Sequence, residues 1–114
     1  MDTGNIINWA DFAKVDIRVG TVLTAEVFAE ARKPAYKMTI DVGPLGIKKT
    51  SAQLTSLYTP DDLIGKQVLV VVNFPPKQIA NIMSECLVLG ALGSGDDVTI
   101  LSPEQPVNNG SRIA

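Results

Sequence analysis

From residue 16 to residue 28 the chain alternates with a period of two. Val15, Ile17, Val19, Leu23, Ala25 and Val27 share one face, and Asp16, Arg18, Thr24 and Glu26 share the other. This is the signature of a long strand with one face turned to a core, and Gly20 inside it suggests a bend or bulge. A second strand follows, with Tyr36, Met38, Ile40 and Val42 alternating with Lys37, Thr39 and Asp41. Gly43-Pro44-Leu45-Gly46 is a turn, and residues 47–54 form a third strand carrying Lys48, Lys49, Thr50 and Ser51.

A helix signature comes next: Thr59 as N-cap, Pro60 at the first helical position, Asp61 and Asp62 in the first turn, and Gly65 as the stop. The two carboxylates satisfy free backbone N–H groups there, a structural rather than catalytic role. Residues 67–73 are strongly β-branched and read as a buried strand, ended by Phe74-Pro75-Pro76 because neither proline can donate to a ladder. Residues 86–92 predict another strand, residues 93–97 a turn and residues 98–101 a last short strand. Ahead of the first strand, residues 8–14 suit a short helix with Trp9, Phe12 and Ala13 on one side. Residues 102–114, rich in Pro, Asn and Gly, are expected to be loose or ordered only by a partner.

The order is long strand, hairpin, third strand, helix, then further strands. It predicts an all-β domain: a five-stranded Greek-key barrel of the OB-fold kind, with a short helix between strands three and four, a short N-terminal helix and a C-terminal extension. Other five-stranded barrels and sandwiches share this period. At 114 residues, 46% hydrophobic and 19% charged, the chain reads as one domain over residues 1–114, with its barrel core at 15–101. The N-terminus shows neither the basic stretch nor the apolar core of a signal peptide, and the longest apolar runs are far short of a membrane span. A cytoplasmic protein without membrane insertion is expected.

Charge and chemistry narrow the function. Residues 32–77 hold seven basic and three acidic side chains, whereas the rest of the chain leaves the net charge at −2. That total argues against general nucleic-acid binding by phosphate neutralisation, but the uneven distribution suggests one basic, ligand-facing side. There is no histidine, and Cys86 is the one cysteine. The commonest general base and the thiolate zinc sites are thereby removed. No Walker loop, dinucleotide-binding glycine motif or serine elbow occurs. The chain is expected to be non-catalytic and to carry no cofactor or metal.

The ordered features Asp16-Ile17-Arg18-Val19-Gly20, Lys37, Ser51-Ala52-Gln53-Leu54, Tyr58-Thr59-Pro60-Asp61-Asp62-Leu63-Ile64-Gly65-Lys66, Val72-Asn73-Phe74-Pro75-Pro76-Lys77 and Ser84-Glu85 carry a resemblance. Over residues 15–92 the chain resembles the tRNA-binding domain family, the OB-fold module appended to some methionyl- and phenylalanyl-tRNA synthetases. Glu30-Ala31-Arg32-Lys33-Pro34-Ala35-Tyr36-Lys37, Gly46-Ile47-Lys48-Lys49-Thr50-Ser51-Ala52-Gln53 and Val72-Asn73-Phe74-Pro75-Pro76-Lys77-Gln78-Ile79-Ala80 resemble bacterial stand-alone members described as secretion-associated chaperones. Two positions depart from the appended modules. Asn81 stands where glycine is common, before the last long strand, and Leu87 stands where methionine is common.

The resemblance implies a homodimer that binds unfolded or pre-secretory polypeptides and the preprotein translocase motor. Structure-specific tRNA binding is the alternative. On the usual ligand face of such a barrel, Lys37, Lys48, Lys49 and Ser51 are expected to line the site, with Asn73, Lys77 and Ser84 at its rim. Tyr36, Phe74, Ile79 and Met83 are candidates for its apolar part. For Tyr36 the other reading is core packing, and for Asn73 it is closure of the strand-to-loop turn. Ile6, Ile7, Trp9 and Phe12 form an apolar stripe suited to dimerisation, or else a lid over the barrel's own open end.

Overall fold

A computed structural model describes residues 3–114. After a 3-10 turn at Thr3–Asn5, helix α1 spans Trp9–Ala13. A capping box starts it: the Asp11 N–H donates to Asn8 Oδ1 at 3.0 Å, and the Asn8 N–H donates to Asp11 Oδ2 at 3.1 Å. These bonds satisfy amides that a short helix otherwise leaves open.

The barrel is built from β1 (Ile17–Val27), β2 (Tyr36–Asp41), β3 (Ile47–Ala52), β4 (Gln67–Val71) and β7 (Leu87–Val88), hydrogen-bonded in the order β3-β2-β1-β4-β7. All four pairings are antiparallel. The first half of β1 pairs with β4 and its second half with β2, so one long strand serves both sides of the barrel. β5 (Lys77–Ile79) and β6 (Ile82–Ser84) form a hairpin beside β3, and β8 (Gly90–Leu92) pairs with β9 (Val98–Ile100). The expected five-stranded barrel is thus present and nearly closed.

The alternation in β2 is realised fully: Tyr36, Met38, Ile40 and Val42 are all buried. In β1 the expected face is not continuous but broken at the midpoint. The register with β2 slips between Val22 and Thr24, and this bulge reverses which side chains face inward. Gly20 and Val22 face the core before the bulge and Ala25 packs on it afterwards, while Leu23, at the bulge, is exposed. Gly20 serves a different purpose from the expected bend. A Cβ there would sit 2.5 Å from Ile40 Cγ2, so the missing side chain is what lets β1 lie against the core residue of β2.

Helix α2 spans Pro60–Leu63 as expected. The Thr59 N–H donates to Asp62 Oδ2 at 2.8 Å, and the Asp62 N–H donates to Thr59 Oγ1 at 3.4 Å. Its one turn exists to deliver Leu63, wholly buried, into the core beside Val22, Val68 and Val70.

Two further expectations need correction. Residues 86–92 are not one strand. The Leu89 N–H donates to Leu69 O, and Leu89 O accepts from the Leu101 N–H. At Leu89 the chain thus changes partner, from β4 on one side to β9 on the other. Nor is the tail at 102–114 loose. Gly110 N–H donates to Val19 O at 2.7 Å, Val19 N–H to Ser111 O at 3.0 Å and Ile113 N–H to Ile17 O at 2.9 Å. The tail covers the edge of β1 that β2 leaves open, so its order comes from its own barrel.

Candidate ligand groove

The barrel closes between β3 and the segment leading into β7, largely through side chains. Glu85 N–H donates to Lys49 O at 2.8 Å, while Glu85 Oε1 accepts from the Lys49 N–H at 2.9 Å. Thr50 Oγ1 donates to Cys86 O at 2.8 Å, and the Ser51 N–H donates to Ser84 Oγ at 3.3 Å. Where this seam ends, a cleft of about 650 Å³ opens. Ser51, Ala52, Gln53 and Leu54 form one wall, and Phe74, Pro75, Lys77, Ile79, Leu87, Val88 and Val98 supply most of the rest.

A second hollow of about 830 Å³ continues the cleft between the loop at 28–35 and β5. It is lined by Ala31, Arg32, Lys33 and residues 77–80, and it shares Ser51, Gln53, Lys77 and Ile79 with the first. One half of the resulting groove is apolar. The other carries three cations, Arg32, Lys33 and Lys77, and no carboxylate. A smaller depression of about 170 Å³ on the outer face of β1, β2 and β3 holds Lys37 and Lys49 with Thr24, Thr39 and Ile82.

The residues expected to form the site divide accordingly. Ser51, Phe74, Lys77 and Ser84 come together on the groove, with Phe74 55% exposed. Lys37 stands opposite Ser51 in the ladder and shares its outer face with Ser51 and Lys49, but its amine turns to Glu26 at 3.4 Å and lies 5.6 Å from the Phe28 ring centre. Lys48 does not share a face with Lys49. It stands opposite Ile40 in the ladder, whereas Lys49 stands opposite Thr39, and neighbours along a strand point to opposite sides.

Tyr36 is a core residue, 6% exposed, whose hydroxyl donates to Tyr58 O at 2.6 Å. Asn73 is occupied as well. Its Oδ1 accepts from the Asp16 N–H at 3.0 Å and its Nδ2 donates to Lys14 O at 2.6 Å. Its amide therefore ties the entry of β1 to the end of β4, using one donor and one acceptor site of the side chain for the fold itself.

Gln53, Pro75, Val88 and Val98 line the groove without having been expected there, as does Leu87, noted only as a departure from the appended modules. Pro75 and Gln53 lie inside the motifs quoted above. Val98 of β9 reaches the groove only through the change of partner at Leu89, which has no local sequence signal. Cys86 is buried behind the seam. Burial pushes its thiol up to about 11, so it is an inert packing residue rather than a nucleophile.

The apolar N-terminal residues do not cover the barrel. Trp9 is 85% exposed, Ile6 67% and Ile7 66%, and only Phe12 of the four is partly buried. No helix among the described residues is long and apolar enough to cross a membrane.

Comparison with known proteins decides the family. The family described as "Putative tRNA binding domain" matches residues 17–112. The solved structure of chaperone CsaA from Bacillus anthracis str. Ames is 50% identical, with a TM-score of 0.91 over 96% of this chain and 99% of that one. The chain belongs to the tRNA-binding domain family and is of the CsaA type. A CsaA chaperone protein from Picrophilus torridus is likewise 50% identical, with a TM-score of 0.88 over 96% of this chain and 100% of that one.

Among curated relatives, methionine–tRNA ligase of Methanosarcina mazei is 35% identical over 113 residues, which is 99% of this chain and 16% of the ligase. That of Bdellovibrio bacteriovorus is 38% identical over 107 residues, 94% of this chain and 15% of the ligase. The chain thus spans about a sixth of the length of the ligases it matches. What it shares with them is this tRNA-binding domain, not their catalytic parts.

Proposed function

We propose that this CsaA-type protein is a non-catalytic, chaperone-like binder of unfolded polypeptides, pre-secretory ones included, and that it assists protein export from the cytoplasm. The observation that carries this is the groove itself. Its apolar half offers Phe74, Pro75, Ile79, Leu87 and Val88 to the side chains an unfolded chain exposes, while its rim offers Ser51, Gln53 and Lys77 for polar contacts. Such a surface binds by burial of apolar area and tolerates many sequences.

The exposed stripe of Ile6, Ile7 and Trp9 supports a homodimer. Contiguous apolar surface of this kind on a small domain marks an interaction site. Two copies would present two grooves, and a long client would gain affinity from engaging both. The preprotein translocase motor is the partner to which such a dimer would hand its client.

Suppression of aggregation tests the reading. A chemically denatured, export-competent precursor is diluted into buffer with and without the protein, and light scattering is followed. The protein should lower scattering in proportion to its concentration, and Phe74→Asp should abolish the effect. Unchanged scattering with wild-type protein would refute the proposal.

Structure-specific tRNA binding is the second reading. It is favoured by the family and by Arg32, Lys33, Lys77 and Lys49, which lie in or beside the groove. Against it stand the net charge of −2 and the few exposed aromatics on which bases could stack.

A further inference from the structure

The β5–β6 hairpin presents an unused strand edge to the groove. Ile79 pairs with Ile82 across a two-residue turn, Gln78 lies opposite Met83, and Lys77 lies opposite Ser84. In an antiparallel hairpin closed in this way the pair flanking the turn exchanges both hydrogen bonds, and the next pair exchanges none. The N–H and C=O of Gln78 therefore point away from β6. Among the described residues neither has a partner.

The edge opens on the groove rather than on bulk solvent. The basic hollow is lined by the consecutive residues 77–80 and by no residue of β6. The facing wall, Arg32 and Lys33, stands across a gap with no carboxylate in it. The tip of the hairpin is held to that wall by Asn81, whose Nδ2 donates to Glu30 Oε2 at 3.3 Å. The hollow is thus a slot with an open strand edge on one side and cations on the other.

Resting on the reading of the groove as a polypeptide site, we propose that the client is captured as an added β-strand, paired antiparallel or parallel to β5 through the main chain of Gln78. Its acidic side chains face Arg32 and Lys33, and its apolar side chains enter the cleft beside Phe74. Strand addition takes its affinity from main-chain bonds that every residue type can make, and pockets for alternate side chains add selectivity. That matches a binder whose clients share no sequence. The three cations name the preferred client: an extended segment in which acidic residues alternate with apolar ones, not a basic one.

A labelled peptide alternating valine with glutamate and serine, and a set of its singly backbone N-methylated versions, test this by fluorescence anisotropy. Each lost main-chain bond should weaken binding about five- to tenfold. The expected result is weakening at alternate positions only, because a strand bonds to one neighbour at every second residue. The Gln78→Pro protein, which removes the outward donor and leaves both hydrogen-bonded pairs of the hairpin in place, should show the same loss with an unchanged circular dichroism spectrum.

A parent peptide that binds while every N-methylated version binds equally well would overturn strand addition and leave the polypeptide reading standing. A parent peptide that does not bind, while tRNA does, would remove that reading and the strand-addition mode with it. A Gln78→Pro protein that loses self-association but keeps peptide affinity would assign the edge to a second copy of the chain and overturn the proposal.

Discussion

Glu85 and Lys49 exchange two hydrogen bonds across the seam of the barrel, one through main chain alone and one through the glutamate side chain. A carboxylate thereby stands in for the carbonyl that a regular strand would have supplied. This arrangement closes the barrel just short of the groove, because Ser51 is the last residue of β3 bonded across the seam.

Replacing Glu85 by Ala should destabilise the protein by about 1–2 kcal/mol, since the Lys49 N–H loses a charged acceptor. Glu85→Gln, which keeps an oxygen in place, should cost less than Glu85→Ala. Urea denaturation of the three proteins checks the order. Equal stability of all three would show that water replaces the bond at no cost.

Asn73→Ala removes the acceptor for the Asp16 N–H and the donor to Lys14 O. It should cost about 1 kcal/mol and, more tellingly, should free the segment holding α1. Limited proteolysis should cut before residue 16 faster in the variant, while peptide affinity should change little. A large loss of affinity with intact N-terminal protection would instead make Asn73 a ligand contact.

Stability should fall in acid through Asp16. Its carboxyl is held below the ordinary carboxylate value, chiefly by the hydrogen bond from the Arg18 guanidinium and further by the charges of Arg18 and Arg112. Arg18 also donates to Gly110 O at 3.0 Å, so the same network anchors the tail. A carboxylate lowered by folding stabilises above its unfolded value, near 3.8, and loses that contribution as the pH falls through its lower folded value. Thermal melts of Asp16→Asn should show a shallower decline below about pH 4 than wild type. Parallel declines would exclude this network as their source.

The thiol of Cys86, pushed up to about 11 by burial, should resist alkylation in native protein. At pH 8 its reaction with iodoacetamide should be more than about a hundredfold slower than in denaturant, where an ordinary thiol is substantially ionised. Comparable rates in both conditions would place the thiol at the surface.

The apolar N-terminal stripe predicts self-association. Sedimentation should show a dimer for the wild type and a folded monomer for the double variant Ile7→Ser, Trp9→Ser, whose melting temperature no longer rises with protein concentration, because both side chains are exposed on the single barrel. A monomeric wild type would contradict the dimer.

What could be read along the chain, and what could not, follows from how local each signal is. The alternation of Tyr36, Met38, Ile40 and Val42 and the capping signature at Thr59 and Asp62 are local, and both stand in the structure. The bulge at Leu23 has no marker in its own neighbourhood and reversed the inward face of half of β1. The two-residue turn at 80–81 shows the same limit. The positive φ, +46°, is at Ala80, not at Asn81, where the side chain best suited to it stands.

Of the candidate groove, Ser51, Phe74, Lys77 and Ser84 are legible because they lie in motifs that meet at the same rim. Tyr36 and Asn73 look like ligand residues by type, yet both make contacts far along the chain, Tyr36 to Tyr58 from within the core and Asn73 to Lys14 and Asp16. The pairing of Lys48 with Lys49 on one face fails for an elementary reason, the two-residue period of a strand. The tail misled most. Its composition suggests looseness, but its backbone completes an edge of β1 that only the three-dimensional pairing leaves vacant.

The central claim is that the groove holds unfolded polypeptide. It is tested most directly by titrating the protein into a labelled, permanently unfolded pre-secretory polypeptide at two salt concentrations, with tRNA as competitor. The account predicts saturable binding that survives high salt with a modest loss from the contacts to Arg32 and Lys33, because apolar burial and main-chain bonds carry most of it, and that tRNA does not displace. Absence of polypeptide binding, or binding that collapses with salt and yields to tRNA, would contradict it and make tRNA the ligand of this face.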